Sequence, residues 1–153
     1  MFDTVVIATD GSESAERAVR MALDLADRFQ ATIHAIYVVD SGELRASPEE
    51  YQDDLEEALE TAGGEALSFV EEWATDRAVD PDVITAVREG DPAEELIDYA
   101  EETDADVIAT GTRGRHGDHA FLLGSVAEAI VRRSPVPVLT VRQLGEDEIG
   151  VAD

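Results

Sequence analysis

The sequence predicts an α/β protein with an open five-stranded parallel sheet and helices on both faces. Five short runs rich in β-branched residues alternate with four segments whose apolar residues recur at helical spacing. No two strand runs follow each other directly, so hairpin connections are absent from the pattern. Strands joined through helices become parallel neighbours by right-handed crossovers, which place the helices on the faces of the sheet.

The first strand is predicted over residues 4–9, a nearly continuous apolar run typical of a strand buried on both faces. A turn of Asp10, Gly11 and Ser12 follows. The next apolar residues have the spacing of an amphipathic helix. They are Ala15, Ala18, Val19, Ala22, Leu25, Ala26 and Phe29.

The second strand is predicted over residues 32–39, and a long helix follows it. Ser47 and Glu50 match a capping box, with Pro48 at the first helical position, and the helix extends to about residue 78. Two adjacent glycines at 63–64 weaken its middle, where a kink is possible. The side chains expected to point inward are Tyr51, Leu55, Leu59, Leu67, Val70 and Trp73.

The second half of the chain repeats the alternation. A third strand over residues 83–88 precedes a helix that Asp91 caps and that runs to about residue 103, with Leu96, Ile97 and Ala100 on one face. A fourth strand is predicted over residues 106–111 and a fifth over 137–141. Between them, Ser125 and Glu128 match another capping box, whose helix ends before Ser134 and Pro135. Residues 1–142 are therefore expected to form a single domain, and 143–153 a flexible acidic tail.

The composition narrows the class of protein. The 36 acidic residues exceed the 11 basic ones to give a net charge of −25, every basic residue is Arg, and the acids are spread along the whole chain. This composition indicates an extreme halophile such as a haloarchaeon, because molar salt screens the self-repulsion of an acidic surface. It argues against nucleic acid as a partner. Without cysteine, thiolate chemistry is excluded; without a long apolar run or a basic N-terminal segment, a cytoplasmic protein with no membrane span is expected.

Ligands of such sheets bind outside the carboxyl ends of the strands where the strand order reverses, so the ends of the first and fourth strands are the places to search. After the fourth strand, Gly111 is followed by two residues, Gly114, nine residues, Gly124 and Ser125. Glycines allow close backbone approach, and a helix N-terminus at Ser125 favours an anion. With Arg113 and Arg115 in the same loop, the pattern predicts a phosphate cradle.

Structural roles also explain these residues. The glycines can shape a turn, Ser125 can serve as a helix cap, and Asp10 can form a turn with its own backbone. Asp10 can equally hold the Mg²⁺ that accompanies a polyphosphate. His116 and His119, with Asp118 between them, are more often polar surface than a metal site. We interpret His34 as a packed, hydrogen-bonded residue, and Trp73 and Tyr51 as packing residues.

Five segments resemble the universal stress protein family, whose ATP-binding members carry the same glycine spacing followed by Ser or Thr. The match extends over nearly the whole chain. The segments are residues 6–12 (VIATDGS), 90–97 (GDPAEELI), 106–115 (DVIATGTRGR), 122–128 (LLGSVAE) and 135–142 (PVPVLTVR).

The resemblance implies a Rossmann-like sheet with ATP, or AMP or ADP, held between the loops after the first and fourth strands. Val38 would present its backbone to adenine. Two features depart from a strong phosphate site: Ala127 replaces a hydroxyl residue, and Asp118 adds negative charge. The residues that the resemblance places around the nucleotide are Ala8, Thr9, Asp10, Val38, Gly111, Arg113, Gly114, Arg115, Gly124, Ser125, Val126 and Ala127.

The family resemblance also implies a homodimer formed through the last strand, Val138 to Val141. The leading hypothesis is a stress-response module that binds ATP and regulates protein partners that the sequence does not name. Alternatives are a slow Mg²⁺-dependent ATPase or autophosphorylating protein, and a dimeric adaptor without nucleotide. The chain has neither the Lys-containing phosphate loop of P-loop enzymes nor the serine elbow of α/β-hydrolases, so fast turnover is not expected.

Overall fold

The computed structural model describes residues 2–76, 82–112 and 123–142. Within these ranges one α-helix connects each pair of successive strands, except that two α-helices and a 3₁₀ turn lie between the second and third strands. The elements are β1 (Thr4–Ala8), α1 (Glu13–Phe29), β2 (Thr32–Asp40), α2 (Ser41–Ala46), a 3₁₀ turn (Glu49–Tyr51), α3 (Gln52–Thr75), β3 (Val83–Gly90), α4 (Pro92–Glu102), β4 (Val107–Gly111), α5 (Ser125–Arg133) and β5 (Val138–Val141).

The five strands form one parallel sheet in the order β3-β2-β1-β4-β5. The predicted fold class is therefore confirmed. Helices α1 and α3 pack on one face of the sheet, and α4 and α5 on the other. The strand order reverses between β1 and β4, which places the topological switch point at the carboxyl ends of these two strands.

Strand β1 lies at the centre of the sheet, as its apolar run predicts. Val5, Val6 and Ile7 have no exposed surface. Val5 and Ile7 belong to the core under α1 and α3, whereas Val6 belongs to the core under α4 and α5. Because successive strand residues point to opposite faces, a strand between two helical layers needs apolar side chains at every position.

The region between β2 and α3 differs from the prediction. Asp40 ends β2 and caps α2, and its carboxylate accepts hydrogen bonds from the backbone N–H of Gly42 (2.9 Å) and of Glu43. Ser47 is consequently the C-cap of this helix, and its hydroxyl donates to the carbonyl of Glu43. The predicted capping box at Ser47 is wrong, because an earlier helix already uses that residue as its end.

Helix α3 is continuous from Gln52 to Thr75, through both glycines. Most of the expected inward residues pack into the core, but Tyr51 precedes the helix and is 57% exposed. Gly63 lies directly against the ring of Tyr37, which is buried in β2. This glycine therefore allows close approach of helix and sheet.

The N-caps of α4 and α5 differ: the first is made by a side chain and the second is not. Asp91 caps α4 as predicted, and its carboxylate accepts from the N–H of Glu94 at 3.0 Å. Helix α5, however, has Gly124 at its N-cap and Ser125 as its first helical residue. The capping box predicted at Ser125 is therefore wrong, and Glu128 pairs with Arg132 instead. The predicted end of this helix before Ser134 is confirmed.

His34 is packed and hydrogen-bonded, which confirms its interpretation. Its Nδ1 lies 2.7 Å from the hydroxyl oxygen of Tyr99 in α4. Burial lowers the pKa of His34 and raises the pKa of Tyr99, because it disfavours the charged form of each. The guanidinium of Arg88 lies over the Tyr99 ring and bonds Glu102. These contacts tie α4 to β2 and β3.

The two edge strands of the sheet are β3 and β5. The strand expected to form a dimer, Val138 to Val141, is therefore an edge strand.

The predicted tail, residues 143–153, lies outside the described residues. Among the described helices, none combines the length and apolar character needed to cross a bilayer.

Candidate functional site

A cavity of about 280 Å³ opens at the carboxyl ends of β1 and β4, where the strand order reverses. It brings together every predicted site residue that lies within the described ranges. These residues are Ala8, Thr9, Asp10, Val38, Gly111, Gly124, Ser125, Val126 and Ala127. Arg113, Gly114 and Arg115, and with them the loop residues His116, Asp118 and His119, lie outside the described residues.

The loop between β1 and α1 forms one wall of the cavity. The Asp10 carboxylate accepts from the N–H of Ser12 at 2.9 Å, and the Thr9 hydroxyl accepts from the N–H of Gly11 at 3.3 Å. Gly11 has a φ of 80°, a left-handed conformation that favours glycine. Ser12 then caps α1 by accepting from the N–H of Ala15. Asp10 thus has the turn-forming role that its position allows.

The opposite wall consists of β4 and the start of α5. The N–H of Gly124 donates to the carbonyl of Thr112 at 2.6 Å, so the two ends of the long loop after β4 are held together. Because Gly124 has no side chain to cap the helix, the first amides of α5 have no partner from the N-cap residue. Ser125, Val126 and Ala127 carry these amides and line the cavity. The positive end of the helix dipole therefore faces a space where an anion can bind.

The side of the cavity between β2 and α4 has a different character. Ile36, Val38, Pro92 and Leu96 give it apolar walls. A flat apolar group can bind there while a charged group on the same ligand reaches the start of α5. The cavity therefore suits a ligand with an apolar end and an anionic end.

Sequence reasoning missed several lining residues. The carboxyl-end rule, applied to β2 as well as to β1 and β4, would have indicated Asp40; Glu43 required the unpredicted helix α2. Ala15, Ile36, Pro92 and Leu96 gave no signal beyond their expected place in the core or at a helix start. The missed residues are Ala15, Ile36, Asp40, Glu43, Pro92, Leu96, Thr110 and Thr112.

The charges on the described part of the wall are all negative. Asp10, Asp40 and Glu43 line the cavity, and within the described ranges no Arg does. Groups of three or more potential metal ligands do not occur among the residues that the structure describes. A polyanionic ligand would therefore need positive charge from a cation or from the two arginines of the loop after β4.

Comparisons with known proteins agree on the family to which the chain is similar. The model of the universal stress protein family matches residues 1–142. A universal stress protein of Methanocaldococcus jannaschii is 38% identical over 144 residues, which cover 94% of this chain and 84% of the relative.

Two solved structures share the fold. The structure of hypothetical protein MJ0577 is 26% identical and superposes with a TM-score of 0.82 over 95% of this chain and 99% of that one. The structure of a universal stress protein in complex with cAMP is 27% identical, with a TM-score of 0.66 over 94% of this chain and 98% of that one. The chain belongs to the universal stress protein family.

Proposed function

We propose that this protein binds an adenine nucleotide, foremost ATP, in the cavity at the ends of β1 and β4, and acts as a stress-response regulatory module. One observation carries the proposal: nine residues chosen from the sequence as nucleotide contacts line a single cavity at the topological switch point. The family member solved with cAMP, itself an adenine nucleotide, supports this ligand class.

The shape and chemistry of the walls suggest how the nucleotide lies. The purine would occupy the apolar side, between Val38 and Leu96, with the Val38 backbone toward adenine. The phosphates would meet the first amides of α5 at Ser125 and Val126, since an uncapped helix start supplies donors and a favourable dipole. In this arrangement the ribose lies near Gly111 and Ala8, close to the middle of the cavity.

Positive charge would come from the residues after β4 and from Mg²⁺. Arg113 and Arg115 would contact the phosphates, and Gly114 would allow their close approach. Asp10, the carboxylate on the β1 wall, would hold Mg²⁺ bound to the nucleotide. Since the described wall carries three carboxylates, we expect ATP to bind more weakly when Mg²⁺ is removed.

The substitution Ser125→Asp tests the placement of the phosphates. Ser125 is exposed and is the first residue of α5, where an acidic side chain favours the helix and leaves the fold intact. A carboxylate there repels a neighbouring phosphate, by about 4 kcal/mol at 4 Å without salt and by less in molar KCl. Calorimetric titration with Mg-ATP in molar KCl should show at least about tenfold weaker binding, a loss of 1.4 kcal/mol.

Ser125→Asn is the matched control, since it has nearly the same shape as Asp but no charge. It should bind Mg-ATP within a few-fold of the wild type. Adenosine should bind the Asp variant and the wild type equally, because it has no phosphate to be repelled. Equal ATP binding by both variants and the wild type would place the phosphates elsewhere.

The alternative functions have their own tests. Phosphate release or a mass increase of the protein during incubation with ATP would support the slow-ATPase or autophosphorylation alternative. A folded wild type that binds no nucleotide would support the adaptor.

We also propose that residues 1–142 work as a single cytoplasmic domain that pairs with a second copy through Val138–Val141. In β5, the carbonyls of Pro137 and Val141 accept bonds from β4, so Val138 and Thr140 direct their amides to the open edge. Thr140→Pro would remove an outward donor and keep the inner ladder.

The expected result is a monomer for Thr140→Pro and a dimer for the wild type, measured by light scattering. Thr140→Val keeps the amide and serves as the control, so it should remain dimeric. A dimer of undiminished stability in the proline variant would contradict pairing through this edge.

A further inference from the structure

We propose that a second groove, between α1 and α3, docks a partner protein through a basic segment that carries an apolar anchor. This α1–α3 groove has a volume of about 410 Å³ and is lined by Ser12, Glu16, Arg20, Phe69, Glu72 and Trp73. It lies on the opposite face of the sheet from α4 and α5, and the proposed nucleotide contacts do not include its aromatic or charged residues.

The aromatic pair of the groove provides the apolar contact. The rings of Phe69 and Trp73 are stacked, with centroids 6.0 Å apart and planes 27° from parallel. Phe69 is 54% exposed although it lies between two buried positions of α3, Ala66 and Val70. Exposed aromatic side chains beside a cavity are typical of binding hot spots, where a large ring is buried by the partner.

The charge around the pair indicates a basic partner. Glu16 and Glu72 line the groove, and Glu65 lies one turn before Phe69 on the same side of α3. Because molar salt screens the field of more distant acids, the attraction for a basic partner comes from these nearby carboxylates.

Arg20 shows how such a partner would fit. Its guanidinium lies 5.0 Å from the centre of the Trp73 ring, and its Nη2 lies 3.0 Å from Oε1 of Glu16. The indole face and the carboxylate together already hold one guanidinium of this chain. A partner arginine can take the same position when Arg20, whose side chain is 59% exposed, turns toward solvent.

The groove also borders the nucleotide cavity, and this part of the inference rests on the proposed function. Thr9 lines both spaces, and the β1–α1 loop separates them. At Gly11 this loop comes so near to α3 that a Cβ there would lie 3.5 Å from Cβ of Ala66. A nucleotide that alters the loop on one side would therefore change the wall of the groove on the other, and partner affinity would depend on nucleotide.

The chain offers its own probe, because Trp73 is its single tryptophan. The test titrates the nucleotide-free protein with a synthetic peptide of alternating Arg and Leu, and follows Trp73 fluorescence. A peptide of alternating Arg and Gly has the same charge without the anchor. We expect saturable binding of the Arg-Leu peptide, and binding at least about tenfold weaker for the Arg-Gly peptide.

Three variants locate the binding. Phe69→Ala should weaken the Arg-Leu peptide about tenfold, as the loss of an aromatic anchor does. Tyr51→Ala, which removes another exposed aromatic ring outside the groove, should leave the affinity unchanged. Arg20→Gln should strengthen binding, since it frees the indole face and removes a positive charge. Circular dichroism of each variant confirms that the fold is kept.

Several results would overturn the docking proposal: no fluorescence change up to millimolar peptide, equal affinity for both peptides, or an unchanged affinity in Phe69→Ala. The link to nucleotide is a separate measurement, made by repeating the titration with saturating Mg-ATP. A changed peptide affinity supports the link and an unchanged affinity refutes it. If calorimetry shows no nucleotide binding, the proposed function fails, whereas the nucleotide-free peptide result still decides the docking.

Discussion

Replacing Gly63 by alanine will lower the free energy of unfolding by about 1–3 kcal/mol, the usual cost of overpacking a core. A Cβ at this position would lie 2.5 Å from Cδ1 of Tyr37 and 2.9 Å from its Cγ. The Tyr37 ring is 1% exposed and belongs to the core under α3, so it cannot turn aside freely. Either the ring or the helix must move, and both movements disturb the packing of α3 on β2.

Gly64 provides the matched control, because it is the next residue of the same helix. A Cβ at Gly64 meets no atom within 4 Å. Gly64→Ala should therefore raise the free energy of unfolding by about 0.5–1 kcal/mol, the difference in helix propensity. Urea unfolding of the two variants and the wild type measures both effects. Equal stabilisation by both alanines would mean that Gly63 does not require close packing against Tyr37.

The second large effect is that of salt on stability, which we expect because we propose, from the acidic composition, that the protein is halophilic. With a net charge of −25, the folded chain repels itself, and ions screen this repulsion as the Debye length falls from about 10 Å at 0.1 M to 3 Å at 1 M. The free energy of unfolding should rise steeply with KCl up to molar concentrations. A stability that is flat or falling between dilute and molar KCl would argue against halophilic adaptation.

One pair of carboxylates reports this repulsion locally. The pKa of Glu56 in α3 is raised, first by the charge of Glu89 in β3, then by burial and by Glu60 and Asp53. A raised folded-state pKa means that the folded protein binds more protons, so this contribution to stability is present below the ordinary pKa and is lost as pH rises through the folded value. Glu56→Gln should therefore stabilise the protein at neutral pH in dilute salt, and the gain should vanish in molar KCl.

The control is a glutamate whose replacement should change the stability in the opposite direction. Glu128 pairs with Arg132 on α5, so Glu128→Gln removes an attraction instead of a repulsion. This variant should not stabilise the protein in dilute salt. If both glutamines stabilise it equally, the effect is one of net charge alone, and the repulsion between Glu56 and Glu89 makes no separate contribution.

The sequence predicted the sheet because its strongest signals concern burial. Val5, Val6 and Ile7 are apolar at every position, and only a strand covered on both faces requires that pattern. The end of a helix carries a weaker signal, since Ser47 and Ser125 have hydroxyls that suit a cap and equally suit a first helical residue or a C-cap. Which role applies depends on where the preceding strand ends. β2 ends at Asp40, which caps α2, so Ser47 comes at the end of a helix.

The residues of the candidate site also fall into those that the sequence predicted and those that it missed. Residues that follow strands β1 and β4 or begin α5 were found, because topology brings these three places together. Pro92 and Leu96 were missed as site residues, because in the sequence they resemble an ordinary helix start and a core position. Their contact with the cavity depends on how α4 crosses β2, a packing detail that spacing along one helix does not contain.

The position of β1 has a consequence for how the chain folds during synthesis. Of the five strands, β1 is made first, and it pairs with β4. Asp106, directly before β4, accepts a hydrogen bond from the amide of Thr4, 102 residues away in the sequence. Until β4 has left the ribosome, one edge of a strand that is apolar at every position but Thr4 has no neighbour. Contacts of such long range in sequence make folding slow and leave intermediates that are prone to aggregate. A nascent chain of this kind should depend on a holding chaperone until β4 emerges.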